Sequence, residues 1–214
     1  GRLAWRDLPE QSPAEDIVRP AAAPFAQESG LQLLSGNLGR AMVKTSAVDP
    51  AYWQVRAPAR VFDSEAAVHQ AYAAGLLQGD LVLVVRFQGP RANGMPELHK
   101  LMPLLVNLQR NGQKVALLTD GRLSGASGKV LAALHLTPEA AAGGVLARVQ
   151  EGDWINVDAL SGRLELEVSE AELATRQPAR LPEELAAGFG LGLFATQRRL
   201  VGPADQGATT LEWE

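Results

Sequence analysis

Two short apolar runs, each followed by a glycine-rich polar loop, constrain the fold of this 214-residue chain more than any other feature. The runs cover residues 81–85 (LVLVV) and 115–118 (VALL). Uninterrupted apolar runs of this length are typical of strands that are buried on both faces. The loops that follow span residues 88–100 and 119–129, and a helix-like segment at 97–110 lies between them. We therefore expect two neighbouring strands to bring both loops to one site.

The rest of the chain alternates many short strands with few helices. Turn residues separate the apolar segments, so the elements are expected to be short. We expect strands near residues 31–34, 40–44, 59–62, 81–85, 114–118, 130–136, 147–149, 154–157, 164–168 and 209–213, and helices near 65–74, 98–110, 138–142, 170–176 and 193–200. This pattern favours a β-rich α/β barrel over a doubly wound sheet, although spacing alone does not decide whether the sheet closes.

The N-terminal segment differs in composition from the remainder. Residues 1–30 carry prolines at positions 9, 13, 20 and 24, which predicts an extended arm or linker, and residues 31–214 are expected to form one barrel domain. Because the chain also begins without methionine, we expect a processed product or an excised fragment.

Charge and composition exclude several classes of function. The net charge is −4 and no sequence-wide basic patch occurs, so nucleic-acid binding is not expected. No apolar run reaches about 18 residues, and the N-terminus does not resemble a signal peptide, which predicts a cytoplasmic protein without membrane contact. The chain has no cysteine, so it can form neither disulfides nor thiolate ligands for a metal or cluster.

The second loop, TDGRLSGASGK at 119–129, combines hydroxyls, glycines and charge. Glycines let the main chain approach a ligand closely, and successive N–H groups can bind an anion. Ser124 could act as a nucleophile or, if deprotonated, as a base. The loop has neither the Gly-x-Ser-x-Gly spacing of a nucleophile elbow nor the spacing of a Walker A motif. A ligand-binding loop and a purely structural turn both remain open.

The first loop carries Glu97 directly after a proline, at the expected start of a helix. One interpretation is a carboxylate stabilised by the helix dipole, and the other is a ligand for Mg²⁺, which prefers carboxylates and water. Arg91, His99 and Lys100 add positive charge that would suit an anionic substrate, although solvated surface positions are an equally open alternative.

These two loops carry a resemblance to a known family. VVRFQGPRANGMPELHKL and LLTDGRLSGASGKVLAALHLTPEA resemble the C-terminal part of the dihydroxy-acid and sugar-acid dehydratases, and the first loop most resembles that of the 6-phosphogluconate dehydratases. The resemblance extends from about residue 31 to the end. It implies a swivelling β/β/α barrel like the C-terminal domain of aconitase-like enzymes, with the N-terminal cluster-binding domain absent from this chain.

The resemblance implies a function and cofactors. Such enzymes dehydrate a 2,3-dihydroxy acid to a 2-keto-3-deoxy acid with an iron–sulfur cluster, expected to be 4Fe-4S, whose ligands lie in the N-terminal domain. The implied substrate is a phosphorylated sugar acid, and the full-length enzyme is expected to be a homodimer. The domain alone is expected to be inactive.

Residue roles follow from the matching motifs. Ser124 of DGRLSG matches the serine proposed as the base at the substrate's C2, and Glu97 of GMPE matches a Mg²⁺ ligand of the family. Some members carry a threonine two places after the serine; here that position is Ala126, and its helper role could fall to Ser127. The candidate substrate-binding residues are the polar side chains of both loops: Arg91, Asn93, Lys100, Asp120, Arg122, Ser127 and Lys129. Phosphate binding by Arg91, Lys100 or Lys129 is inferred from their charge.

Two alternatives stay open. The chain could belong to a dehydratase for another sugar acid or for a branched dihydroxy acid. It could also be a barrel that binds a small anion with the same loops and has no catalytic role.

Overall fold

A computed structural model describes residues 1–7, 9–26, 30–124, 128–186 and 189–211. The chain forms two compact units, Gly1–Gly30 and Leu31–Glu214. The described residues of the first unit contain no helix or strand. The second unit contains all the elements named below.

Eight strands form a closed barrel in the order β1-β2-β6-β5-β4-β3-β7-β8. They are β1 Leu31–Gly36, β2 Gly39–Lys44, β3 Gln54–Phe62, β4 Leu81–Val85, β5 Val115–Thr119, β6 Leu131–Thr137, β7 Trp154–Asp158 and β8 Arg163–Leu166. Strands β3, β4, β5 and β6 run parallel, and the remaining pairs are antiparallel except the closing pair, β1 with β8. The predicted β-rich barrel is therefore confirmed, and the structure adds its closure.

The described residues contain seven α-helices besides the barrel strands. They are α1 Glu65–Ala73, α2 Pro90–Asn93, α3 Leu101–Arg110, α4 Glu170–Thr175, α5 Glu183–Ala186, α6 Phe189–Leu193 and α7 Ala195–Leu200. In the same part of the chain, 3-10 turns lie at Pro50–Tyr52, Ala140–Ala142, Val145–Arg148 and Ala204–Gln206. Within the described part of the chain, none of the helices has the length and apolar character needed to cross a lipid bilayer.

Strand β4 shows why an uninterrupted apolar run is needed here. Its side chains alternate between two separate hydrophobic clusters: Val82 and Val84 point into the barrel interior, whereas Leu81, Leu83 and Val85 join the cluster under α1 and α3. Strand β5 divides in the same way. All five β4 residues are fully buried, as the run predicts. Helix α3 covers the outer cluster with leucines spaced three or four residues apart.

Several predicted elements differ from the structure. Residues 147–149 were expected to form a strand, but they lie in and after the 3-10 turn Val145–Arg148. The segment after Pro138 forms only the 3-10 turn Ala140–Ala142, not an α-helix. No strand occurs at 209–211, and residues 212–214 lie outside the described residues. Strand β3 begins five residues earlier than the predicted start at Ala59, because Gln54–Pro58 pairs with β7.

Helix α3 begins at Leu101 instead of near Leu98, and this changes the interpretation of Glu97. The main chain at Glu97 forms a parallel β-bridge with Arg122, and the Leu98 N–H donates to the Arg122 carbonyl at 3.2 Å. Glu97 therefore lies in extended chain before the helix. The expectation that a helix dipole stabilises its carboxylate was wrong.

Candidate active site

The two glycine-rich loops meet through Glu97. One oxygen of its carboxylate, Oε1, accepts a hydrogen bond from the Ser124 main-chain N–H at 2.6 Å, and Oε2 accepts one from Arg122 Nη1 at 2.8 Å. Arg122 Nε also donates to the Met95 carbonyl at 2.8 Å. Each loop thus holds the other, and the contact brings the candidate base and the candidate metal ligand together.

Exposure suits these side chains for contact with a ligand. Ser124 is exposed, and the Arg122 and Glu97 side chains are 47% and 30% exposed. An ion pair at this exposure contributes little to stability, about 0–1 kcal/mol. The pair is therefore better understood as a means of orienting the two loops.

The Glu97 carboxylate is compatible with a cation ligand. An ionised carboxylate offers about four acceptor positions, so the two N–H donors leave each oxygen able to bind a cation. Mg²⁺ usually takes one or two protein carboxylates and completes its shell with water or substrate. Among the described residues, no group of three or more His, Cys, Asp or Glu is arranged to hold a metal ion. Glu97 can therefore supply one ligand, and the others would come from elsewhere.

A mostly apolar pocket adjoins Ser124. Lys44 at the end of β2 and His135 in β6 line it together with Ser124. Burial, followed by the positive charge of Arg122, lowers the pKa of His135. The main-chain N–H of His135 donates to the Gly121 carbonyl at 3.0 Å, so this residue also fixes the start of the second loop. The pocket thus places the side chains of His135 and Lys44, both carried by barrel strands, beside Ser124.

Asp120 is fully buried and organises the main chain around it. Its carboxylate accepts the N–H groups of Phe87, Gln88 and Ala140 at 3.2, 2.8 and 3.0 Å. Burial raises the pKa of Asp120 to about 6, and the three hydrogen bonds oppose that rise. Both oxygens are engaged inside the protein. Asp120 therefore holds the segments at residues 87–88 and at Ala140 against its own loop, and the substrate contact expected from the sequence stays a prediction.

Helix α2, which carries Arg91, is held from two sides. The Glu139 carboxylate accepts the N–H groups of Arg91 and Ala92 at 2.9 and 3.1 Å. Arg198 of α7 donates to the carbonyls of the same two residues at 2.9 and 2.6 Å. Burial raises the pKa of Glu139. Gly89 is required here, because a Cβ atom at that position would collide with the Glu139 carboxylate.

The remaining predicted binding residues are spread over the two loops. Arg91, Lys100 and Lys129 are exposed. Asn93 is half-buried and donates from Nδ2 to Gln88 Oε1 at 3.1 Å, so part of its hydrogen bonding is internal. Ser127, together with Gly125 and Ala126, lies outside the described residues.

Sequence reasoning missed Lys44, His135, Glu139 and Arg198 as neighbours of these loops. Lys44 and His135 come close because β2 pairs with β6, with Val43 opposite Ala133. Strands 90 residues apart give no local signal of such pairing. For Glu139, the available signal was an acidic residue in an otherwise apolar segment. The signal for Arg198 was weaker, because it is only one of two adjacent arginines in a short helix.

Comparison with known proteins identifies the family. A family model described as the C-terminal part of dihydroxy-acid/6-phosphogluconate dehydratases matches residues 16–208. A phosphogluconate dehydratase of Pseudomonas aeruginosa is 53% identical over 208 residues, which cover 97% of this chain and 34% of that protein. The Escherichia coli K12 phosphogluconate dehydratase is 51% identical over 213 residues, covering 99% of this chain and 35% of that protein.

A more distant relative carries a different name. The dihydroxy-acid dehydratase of Pyrobaculum aerophilum is 38% identical over 213 residues, which cover 98% of this chain and 37% of that protein. This chain spans about a third of the length of the curated relatives it matches. The extent of these matches shows that the chain belongs to the dihydroxy-acid/6-phosphogluconate dehydratase family, as a counterpart of its C-terminal domain.

Proposed function

We propose that this chain is the C-terminal catalytic part of a 6-phosphogluconate dehydratase of the Entner–Doudoroff pathway. The identity of 51–53% to two proteins named phosphogluconate dehydratase, against 38% to one named dihydroxy-acid dehydratase, supports this substrate over a branched dihydroxy acid. The observation that carries the catalytic assignment is the 2.6 Å hydrogen bond from the Ser124 N–H to Glu97. It joins the two loops that the family resemblance singles out.

The proposed reaction is a balanced loss of water. Ser124 Oγ, as its alkoxide, takes the proton from C2 of 6-phospho-D-gluconate, the C3–O bond breaks as the C2=C3 double bond forms, and the departing hydroxide takes up a proton and leaves as water. The enol then loses its O–H proton and gains one at C3, which gives 2-dehydro-3-deoxy-6-phosphogluconate, and Ser124 gives its proton up to solvent. Such a base acts only while its hydroxyl is deprotonated, so the groups around Ser124 must favour its anion. Arg122, which shares Glu97 with the Ser124 main chain, supplies a positive charge to the same loop.

An iron–sulfur cluster, if used, must be held outside this chain. Cluster ligands are cysteine thiolates in most proteins, and this chain has no cysteine. The residues of this chain therefore account for the proton removal and for substrate orientation only. A Mg²⁺ ion bound by Glu97 would add charge neutralisation at the substrate's oxygens.

We further propose that the working enzyme is longer than this chain. The relatives are about three times as long as this chain, and the matching family model describes the C-terminal part, which supports an additional N-terminal domain. We propose that this domain binds the cluster and that the full-length enzyme is a cytoplasmic homodimer. In that arrangement the 214-residue chain alone is inactive, because half of the site is missing.

Substrate preference tests the proposed function directly. We expect the full-length enzyme to release a 2-keto acid from 6-phosphogluconate with a kcat/KM roughly tenfold or more above that for gluconate, because hydrogen bonds to a charged group are worth about 1.5–3 kcal/mol. The branched dihydroxy acid serves as the third substrate. Equal efficiency for the phosphorylated and unphosphorylated acids, or preference for the branched acid, would overturn the assignment.

Replacing Glu97 should separate activity from stability. In Glu97→Gln, one oxygen becomes an NH₂ group that cannot accept from Arg122 or Ser124, so the second loop loses one of its two hydrogen bonds to this side chain. We expect kcat of the full-length enzyme to fall at least roughly tenfold, since small misplacement of a catalytic group is costly. The unfolding free energy should change by less than about 1 kcal/mol, because the ion pair is exposed.

Glu167→Gln is the matched control. Glu167 forms an ion pair with Arg56, and the two side chains are 35% and 57% exposed, respectively. This exposure is similar to that of the Glu97–Arg122 pair. The control should lose a comparable amount of stability and keep its activity. If both variants retain normal kcat, Glu97 has no role in the reaction.

A further inference from the structure

An arginine-lined cavity lies beside the active-site loops. It has a volume of about 640 Å³ and opens between α2, α7 and the loop after β6. Arg91, Arg198 and Arg199 line it, and Phe87, Ala140 and Leu181 provide apolar walls. None of the described lining residues is acidic. The cavity therefore concentrates positive charge beside partly apolar walls, which strengthens the attraction for an anion.

Arg198 is held in place before any ligand binds. Its Nε and one Nη donate to the carbonyls of Arg91 and Ala92, which fixes the guanidinium plane against α2. These contacts also connect Arg91 and Arg198 directly. An arginine ordered in this way loses little conformational entropy when it binds a further group.

The nearest acidic side chain does not cancel this charge. Glu139 lies within electrostatic reach of Arg91 and Arg198, since both lower its pKa against the larger effect of burial. Its carboxylate, however, accepts the Arg91 and Ala92 N–H groups and does not line the cavity. Three guanidinium groups against one internally engaged carboxylate leave a net positive site.

We propose that Arg91, Arg198 and Arg199 bind a phosphate group in this cavity. Guanidinium groups match phosphate oxygens with paired hydrogen bonds, and a phosphate monoester carries about two negative charges at neutral pH. The bound phosphate has two sources: the phosphate group of a sugar-acid substrate, or free inorganic phosphate. Only the first of these rests on the proposed function. Arg198 and Arg199 extend the candidate binding residues beyond the two glycine-rich loops.

Arg199 offers the cleanest test. It is exposed, and its Nη2 donates to Thr196 Oγ1 at 3.3 Å within the same helix, so Arg199→Gln should leave the fold intact. Arg199→Lys keeps the charge, and Arg110→Gln, at the exposed end of α3 outside the cavity, is the control. The full-length holoenzyme is assayed with 6-phosphogluconate and gluconate, and inorganic phosphate binding is measured by titration calorimetry.

Substrate phosphate and free phosphate give different results. If the cavity binds the substrate's phosphate, Arg199→Gln raises KM for 6-phosphogluconate by about 10- to 100-fold, leaves KM for gluconate unchanged, and Arg199→Lys recovers part of the loss. If it binds free phosphate, KM values are unchanged and phosphate affinity falls by a similar factor. An Arg199→Gln enzyme with unaltered KM values and unaltered phosphate affinity overturns the proposal. Wild-type enzyme without activity on 6-phosphogluconate would instead refute the proposed function, and the phosphate titration would still test the cavity.

Discussion

Ser124→Ala in the full-length enzyme is expected to lower kcat for 6-phosphogluconate by roughly 100- to 10,000-fold, the range that general-base catalysis contributes. The substitution removes only the hydroxyl. The hydrogen bond to Glu97 comes from the Ser124 main-chain N–H, so the contact between the two loops survives in the variant. A loss of activity would therefore report on the chemistry of Oγ and not on the position of the loop.

Three measurements make this test specific. The unfolding free energy should stay within about 0.5 kcal/mol of the wild type, as expected for an exposed position. KM should change much less than kcat. With substrate deuterated at C2, the wild type should release the label to solvent and the variant should retain it, because the step that fails is proton removal.

Ser35→Ala is a suitable control for Ser124→Ala. Ser35 is an exposed serine whose main chain pairs with Arg40 in the β1–β2 hairpin, away from the two loops in sequence, and its replacement should leave kcat unchanged. A Ser124→Ala enzyme with near-normal turnover and normal loss of the C2 label would remove the assignment of Ser124 as the base.

The barrel strands illustrate what local sequence encodes. The run Leu81–Val85 predicted burial on both faces, and the structure places alternate side chains in two different cores. Residues 31–34 and 40–44 were expected to form two strands, and the structure pairs them as the β1–β2 hairpin, since strands joined by a short turn are neighbours in the sequence. Periodicity records which faces are buried. It does not record the partner, so the pairing of β3 with β7 and of β2 with β6 could not be predicted.

In the candidate site, too, some features follow from the local sequence and others depend on contacts with distant parts of the chain. The sequence of the two loops, through its composition and its family resemblance, directed attention to Ser124 and Glu97, which the structure joins by a hydrogen bond. It failed for the main-chain conformation at Glu97, because pairing with Arg122 keeps the chain extended and delays the helix to Leu101. The sequence also does not show whether a polar residue in a glycine-rich loop faces solvent or the interior. Asp120 is the clearest case.

Asp120→Ala is expected to destabilise the chain by about 3 kcal/mol or more. It removes the acceptor of three buried main-chain N–H groups, and each unsatisfied buried donor costs about 1–3 kcal/mol. For a chain of this size, each kcal/mol corresponds to about 2–4 °C, so Tm should fall by about 6 °C or more. Asp16→Ala, at an exposed position in the N-terminal unit, should have no measurable effect. Equal Tm values for the two variants would show that the segments at residues 87–88 and at Ala140 do not depend on the Asp120 carboxylate.

The pH dependence of stability tests the electrostatics of the same carboxylate. Burial raises the pKa of Asp120 from 3.8 to about 6 in the folded chain. Between about pH 4 and pH 6 the folded chain then holds a proton that the unfolded chain has released, so the contribution of Asp120 to stability falls as pH rises and is constant above that window. Each pH unit is worth about 1.4 kcal/mol, which gives about 3 kcal/mol over the window. Asp120→Asn cannot titrate and lacks this slope. Urea unfolding of both proteins from pH 4 to pH 7 should therefore show the wild type losing stability relative to the variant until about pH 6. Parallel profiles would mean that the folded carboxyl group titrates near its ordinary pKa, because its three N–H donors offset the effect of its burial.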